Sequence, residues 1–178
     1  VEWLTTAFPL IWNTDGHVVD TITLPGGTLS RQGFLRGENI PKGTGRFTSV
    51  VIQQESTFWR RSLWERAGGK LNESLKLAAD FELWASFFQH AELYTISSPL
   101  GGFRVHETQQ TAHYLDKYID EAQHTLKRHG GHPYNRWEVM LRKRFLKYLP
   151  VSVAKFIGWK YKNPHIRYRN YNWEIVRY

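Results

Sequence analysis

Asp80 and Glu82 stand two residues apart at the entrance of an apolar stretch that carries Phe81, Leu83, Trp84, Phe87 and Phe88. On a helix, side chains at i and i+2 point about 200° apart, so one of these acids can face a cleft while the other faces solvent. An acid held at a cleft can take the proton of an incoming hydroxyl within hydrogen-bond reach. Asp at a helix start also has an ordinary explanation, the N-cap that accepts free N–H groups of the first turn. Spacing leaves both readings open. His106 ends the run Phe103-Arg104-Val105-His106 and precedes the polar residues Glu107 to Gln110, a cluster able to bind a metal, a phosphate or a sugar. The plain alternative is a surface histidine at a strand–loop junction, because a metal site needs partners that the sequence does not place nearby. Arg60-Arg61, after Phe58-Trp59, can clamp a diphosphate or stack on a ring, and equally can be a solvated helix start. His124, His129 and His132 fall on the polar side or end of a helix and read as solvated. Walker A, Rossmann and Gly-x-Ser-x-Gly signatures are absent.

The elements that must position these residues follow from periodicity. Residues 1–60 alternate short apolar runs with turn signals such as Asn13-Thr14-Asp15-Gly16, Pro25-Gly26-Gly27 and Pro41-Lys42-Gly43, which predicts strands and long loops. Phe47 to Ile52 reads as a buried strand, with the polar stretch Gln53 to Thr57 at its end. Arg61 to Ala67 predicts a short helix closed by Gly68-Gly69, and Lys70 to Leu77 a loop. Beyond Asp80, the residues Leu83, Trp84, Phe87, Phe88 and Ala91 form a wide apolar helix face. Leu93 to Ile96 and Phe103 to His106 read as strands around a turn at Pro99 to Gly102. A helix is expected from about Gln110 to His129, stopped by Gly130-Gly131. Glu138 to Tyr148 and Val151 to Trp159 read as basic amphipathic helices separated at Pro150. Beyond Asn163-Pro164 periodicity predicts no element.

The chain has 178 residues, 41% hydrophobic and 22% charged, which suits one globular domain with a sizeable core. Cysteine is absent, so disulfide scaffolds, thiolate zinc sites and cysteine nucleophiles are excluded. No apolar run approaches the roughly 18 residues of a spanning helix, and no signal peptide is visible. The net charge of +8 is unevenly placed: residues 136–178 carry 11 Lys/Arg against Glu138 and Glu174. That basic part is interleaved with aromatic residues, a composition that could meet phosphates on nucleic acid or on a membrane surface. The chain starts at Val1 and runs straight into structured-looking sequence, so a preceding N-terminal part is expected.

The order of the pieces matters more than any one of them. Ile52-Gln53-Gln54-Glu55-Ser56-Thr57-Phe58-Trp59-Arg60-Arg61-Ser62-Leu63-Trp64-Glu65, then Ala67-Gly68-Gly69, then Ala79-Asp80-Phe81-Glu82-Leu83-Trp84, then Phe103-Arg104-Val105-His106 resembles the acceptor half of family 2 glycosyltransferases of the GT-A fold. The match covers roughly residues 50–110 and, more loosely, 1–49. The resemblance implies an α/β fold: a partial GT-A-like mixed sheet with packed helices over 1–135, followed by a basic aromatic helical extension over 136–178. It implies Asp80 as the catalytic base of inverting transfer, which deprotonates the acceptor hydroxyl that attacks the anomeric carbon as the nucleoside diphosphate leaves. Glu82 matches the second acid of the family's Glu-Asp-x-Asp-type segment, and Ala79 replaces its usual first acid. His106 takes the place of a histidine near the metal and diphosphate, and Arg104 is expected to assist there electrostatically. The implied cofactor is a divalent metal, Mg or Mn, and the implied partners are a nucleotide-sugar donor and a saccharide or lipid-linked acceptor. The family's N-terminal βαβ half and its Asp-x-Asp metal motif have no counterpart here, Asn13-Thr14-Asp15 being a turn. The expectation is therefore the acceptor-side part of a hexosyltransferase-like enzyme, inactive by itself.

Within that frame Gln54, Trp59 and Trp84 are candidates to line the acceptor pocket with Glu82 and Arg104, since indole faces pack on sugar C–H surfaces and amides bond hydroxyls. Trp84 is equally a core candidate. The rival reading is a non-enzymatic basic aromatic module for single-stranded nucleic acid or an anionic membrane surface. Against nucleic acid, RNA-binding signatures are missing and the central region has no excess positive charge. A cytoplasmic location, peripheral at the inner face of the membrane, completes the expectation.

Overall fold

The computed structural model describes residues 1–21, 29–41, 51–106, 113–133, 135, 137–138, 148, 150, 152–153 and 163–177. These form a mixed α/β arrangement of two sheets and four helices. The chain runs β1 (Trp3–Thr6), β2 (Leu10–Trp12), β3 (Val18–Thr21), α1 (Arg31–Leu35), a 3₁₀ turn (Gln54–Ser56), β4 (Thr57–Trp59), α2 (Arg61–Arg66) and α3 (Ala79–His90). It continues with β5 (Leu93–Ile96), β6 (Gly102–Arg104), α4 (Leu115–Arg128), β7 (His165–Arg169) and β8 (Asn172–Val176). The larger sheet has the order β4-β1-β5-β7-β8, parallel where β1 meets β5 and β5 meets β7, antiparallel at β4 and β8. The smaller sheet is β3-β2-β6, with β2 and β6 parallel.

Helix α3 organises the core. Phe81, Leu83, Trp84, Ala85, Phe87 and Phe88 are all buried, a helix apolar around most of its girth and therefore enclosed. Trp3 of β1 stacks on Trp84 at 5.7 Å between ring centroids and meets the edges of Phe87 and Phe88 at 5.3 and 4.9 Å. Phe34 of α1 stacks on Phe81 from another side at 4.5 Å. Strand β1 is thereby keyed to α3 by aromatic faces and edges, the arrangement that ring quadrupoles favour.

The start of α3 is built from afar. Its N-cap is Ala78, which offers no side-chain oxygen; instead the Glu121 carboxylate on α4 accepts the N–H groups of Lys76, Leu77 and Ala78 at 3.2, 2.9 and 2.9 Å. Glu82 forms the second tie between these helices. Its carboxylate accepts from Thr125 Oγ1 at 2.7 Å, from the Arg128 guanidinium, and meets His129 Nε2 at 3.4 Å. The His129 hydrogen bond holds the Glu82 carboxyl below its usual range, partly opposed by burial and aided by Thr125 and Arg128. Glu82→Gln is expected to cost about 1–3 kcal/mol of unfolding free energy near neutral pH. A carboxyl with a depressed folded pKa stabilises above its unfolded value of 4.5 and loses that contribution as pH falls through the folded value. Urea unfolding should therefore show the two proteins converging at acid pH, and a pH-independent difference would contradict this.

The carboxyl-terminal end departs from the expected helical extension. Residues 165–176 form a hairpin that joins the larger sheet, β7 pairing in parallel with β5 through Thr95↔His165 and Ile96↔Ile166. Its two-residue turn, Asn170-Tyr171, has positive φ at both positions, 50° and 61°, the geometry whose twist suits a hairpin. Buried Asn163 secures the entry, donating to the Leu93 carbonyl at 3.2 Å and accepting from Leu29 N–H at 3.3 Å. The His165 ring bonds Thr95 Oγ1 at 3.0 Å and Ser97 Oγ at 2.6 Å. Of the expected strand at 47–52, only Val51 and Ile52 are described, and they lie outside any strand. The helices expected at Glu138 to Tyr148 and Val151 to Trp159 fall mostly outside the described residues. Among the described residues, no helix is long and apolar enough to cross a membrane.

Candidate functional site

A cavity of about 520 Å³ opens where the amino-terminal turn of α3 meets the 3₁₀ turn, β4, α2 and one edge of the smaller sheet. Asp80, Gln54, Trp59 and Trp84 all line it, together with Glu55, Trp64, Phe103 and Tyr118. Asp80 is the second residue of α3, not its cap; its Oδ1 accepts the Phe81 N–H at 2.7 Å. Asp80 is therefore not the N-cap, a place that Ala78 holds, although it still accepts one first-turn N–H, that of Phe81, while Glu121 accepts the N–H groups just before the helix. Burial pushes the Asp80 carboxyl above its ordinary range; the Phe81 N–H draws it partly back, and the Glu55 carboxylate across the cavity raises it further. Tyr118 of α4 responds in kind, its phenol pushed up by burial and by Asp80. Two acids and a phenol therefore share one electrostatic neighbourhood.

The 3₁₀ turn is braced on its inner side. Gln53 donates to the Leu10 carbonyl at 2.9 Å, Ser56 Oγ donates to Gln53 Oε1 at 2.5 Å, and Thr57 Oγ1 donates to the Gln53 carbonyl at 2.7 Å. Gly101 closes over it: a Cβ there would lie 2.3 Å from the Glu55 carbonyl oxygen, so only glycine lets the β5–β6 connection approach. With Gln53, Ser56 and Thr57 turned inward and buried, Gln54 and Glu55 are left exposed on the cavity side. The aromatic wall is graded. Trp84 is 2% exposed and belongs to the core, whereas Trp59 is 37% exposed and sets its ring edgewise against Trp84 at 5.7 Å and Phe87 at 5.6 Å. The buried Trp84 indole N–H has no acceptor among the described residues.

The other candidates stand elsewhere. Glu82 does not line this cavity: the helical turn that aims Asp80 into it turns Glu82 toward α4, where Thr125, Arg128 and His129 occupy its carboxylate. Arg104 does not line it either. Neighbouring residues of β6 face opposite ways, and Phe103 takes the cavity side. His106 lies exposed beyond β6. Among the described residues, no group of three or more His, Asp or Glu side chains is placed to hold a metal ion; Glu107 to Gln110, the polar residues expected beside His106, lie outside the described residues. His129, read as solvated, is instead a half-hidden partner of Glu82 and of Gln89 Nε2 at 2.6 Å.

Sequence reasoning misses Glu55 and Tyr118. Glu55 belongs to the polar stretch at a strand end, and its neighbours Gln53, Ser56 and Thr57 are residues that bond local backbone, which is the signal of a braced turn. Tyr118 shares the apolar spacing of α4, which hides its hydroxyl among core positions. Comparison with protein-family models, with curated proteins and with solved structures finds no match to this chain.

Proposed function

We propose that this chain is the acceptor-side part of an inverting glycosyltransferase that uses a nucleotide-sugar donor, with Asp80 as general base. One observation carries the reading: a half-buried carboxylate of raised proton affinity projects from a helix start into a cavity walled by Trp59, Trp84 and Phe103. In such a site the acceptor sugar rests its C–H face on the exposed indole of Trp59, and Gln54 bonds its hydroxyls. Asp80 takes the proton of one hydroxyl. The oxygen then forms a bond to the anomeric carbon of the donor as the bond to the diphosphate breaks, and the diphosphate leaves with the electron pair, inverting the centre. A raised pKa makes Asp80 a stronger base once ionised. The test is acceptor-dependent release of nucleoside diphosphate by the full-length protein, compared between wild type and Asp80→Asn; equal release by both would sink the assignment.

A second reading, contact with an anionic membrane surface, is favoured by the hairpin. Register places Tyr168 opposite Trp173 and Ile166 opposite Ile175 on one face, and Tyr168, Tyr171, Trp173 and Ile175 are exposed, Tyr171 by 92%. Exposed aromatic rings near Arg169 suit the headgroup region of an anionic leaflet, whereas Arg177 is taken by Glu92 at 2.7 Å. Co-sedimentation with phosphatidylserine-containing vesicles should fall on Tyr171→Ser/Trp173→Ser double substitution; unchanged sedimentation would remove this reading and leave the transferase proposal standing.

A further inference from the structure

Two carboxylates of like sign face one largely apolar cavity, and no Lys, Arg or His lines it among the described residues. An anionic ligand would meet only repulsion there. A neutral ligand that offers O–H donors to both acids would relieve it, because each carboxylate is an acceptor-only group. We infer that Glu55 is a second acceptor-binding carboxylate, holding the hydroxyl next to the one that Asp80 deprotonates, so that the cavity selects a neutral saccharide ring with two adjacent hydroxyls. The inference rests on reading the cavity as the acceptor site.

Three observations support it independently of charge. The turn that carries Glu55 is held by the Gln53, Ser56 and Thr57 bonds and by the close approach of Gly101, so the carboxylate stands on a fixed support and not on a mobile loop. Asp80 stands on the first turn of α3, itself anchored by Glu121. In the same cavity wall, Trp59 offers an indole for the ring's apolar face, and Trp84 carries a buried N–H with no acceptor among the described residues. Glu55 and Asp80 line the same cavity.

The test uses the full-length protein with methyl α-D-galactopyranoside, methyl α-D-mannopyranoside and methyl α-D-galacturonate, followed by saturation-transfer NMR and tryptophan fluorescence. Wild type is expected to bind at least one neutral glycoside and to bind the uronate about tenfold more weakly or less. Glu55→Gln should weaken the neutral glycoside by about tenfold and narrow the discrimination against the uronate, with no loss of thermal stability because Glu55 is exposed. Glu55→Asp should recover part of the binding. Equal binding by wild type and Glu55→Gln, a uronate bound as tightly as the neutral sugar, or no binding of any of the three would overturn the inference. The two carboxylates are separable: if Asp80→Asn keeps transfer while Glu55→Gln loses sugar binding, the role of Asp80 falls and that of Glu55 stands, whereas loss of transfer in Asp80→Asn with unchanged sugar binding in Glu55→Gln upholds Asp80 and removes Glu55.

Discussion

Replacing Asp80 by Asn is expected to lower acceptor-dependent transfer by about 10²–10⁴-fold, leave donor binding nearly intact, and raise stability near neutral pH. The first effect follows from chemistry. Asn keeps the size of the side chain and can still accept the Phe81 N–H, but its amide takes no proton from a hydroxyl. The gain in stability follows from linkage. Burial raises the folded pKa of Asp80 above its usual 3.8, so the folded state holds this proton more tightly than the unfolded one. Stability is then highest below the unfolded value and falls as pH rises through the folded value. A neutral Asn escapes that fall. Thermal unfolding should show a higher midpoint for Asp80→Asn at about pH 7, shrinking toward zero at about pH 4; a variant less stable at neutral pH would mean that the carboxylate is a structural partner. Gain in stability with loss of turnover is the signature of a residue kept for function.

Trp84→Ala is expected to cost about 3–5 kcal/mol, which in a chain of this size lowers the unfolding midpoint by roughly 10 °C. Trp84 is 2% exposed and touches Trp3, Trp59 and Phe87, so truncation opens a void where β1 is keyed to α3. Trp59→Ala should behave differently. With 37% of its surface in solvent, its loss should cost about 1 kcal/mol while removing the indole against which a sugar packs. Differential scanning fluorimetry together with glycoside binding separates the two. Similar destabilisation by both substitutions would show that Trp59 is core as well, and that the cavity has no aromatic platform of its own.

Local signals in the sequence carry part of this architecture. The apolar spacing from Leu83 to Ala91 specifies α3, Gly68-Gly69 ends α2 with positive φ at both glycines, and Leu93 to Ile96 forms a strand as its β-branched and aromatic content suggests. Three features are hidden for physical reasons. The N–H groups leading into α3 are taken by Glu121, some forty residues on, and the N-cap is Ala78, so in the sequence Asp80 resembles a cap although it stands second in the helix. Glu82 looks like a second site acid because its partners Thr125, Arg128 and His129 become neighbours only when α4 packs. The terminal hairpin is readable in principle: His165-Ile166-Arg167-Tyr168-Arg169 and Asn172-Trp173-Glu174-Ile175-Val176 both alternate, and Asn170 suits the left-handed turn. Basic charge and aromatic content suggest a helical tail instead, and they mask that alternation. Arg104 illustrates parity, since a strand that turns Phe103 into the cavity must turn Arg104 away.

The most direct test of Asp80 as the base is its own titration, followed by carboxyl-carbon NMR in the full-length protein beside the pH profile of kcat/KM for transfer. A base that is buried and faced by Glu55 should titrate above 3.8, and the acid limb of kcat/KM should coincide with that midpoint and shift to lower pH in Glu55→Gln. An Asp80 carboxyl that titrates at or below the usual value, or an acid limb that persists unchanged in Asp80→Asn, would contradict the account.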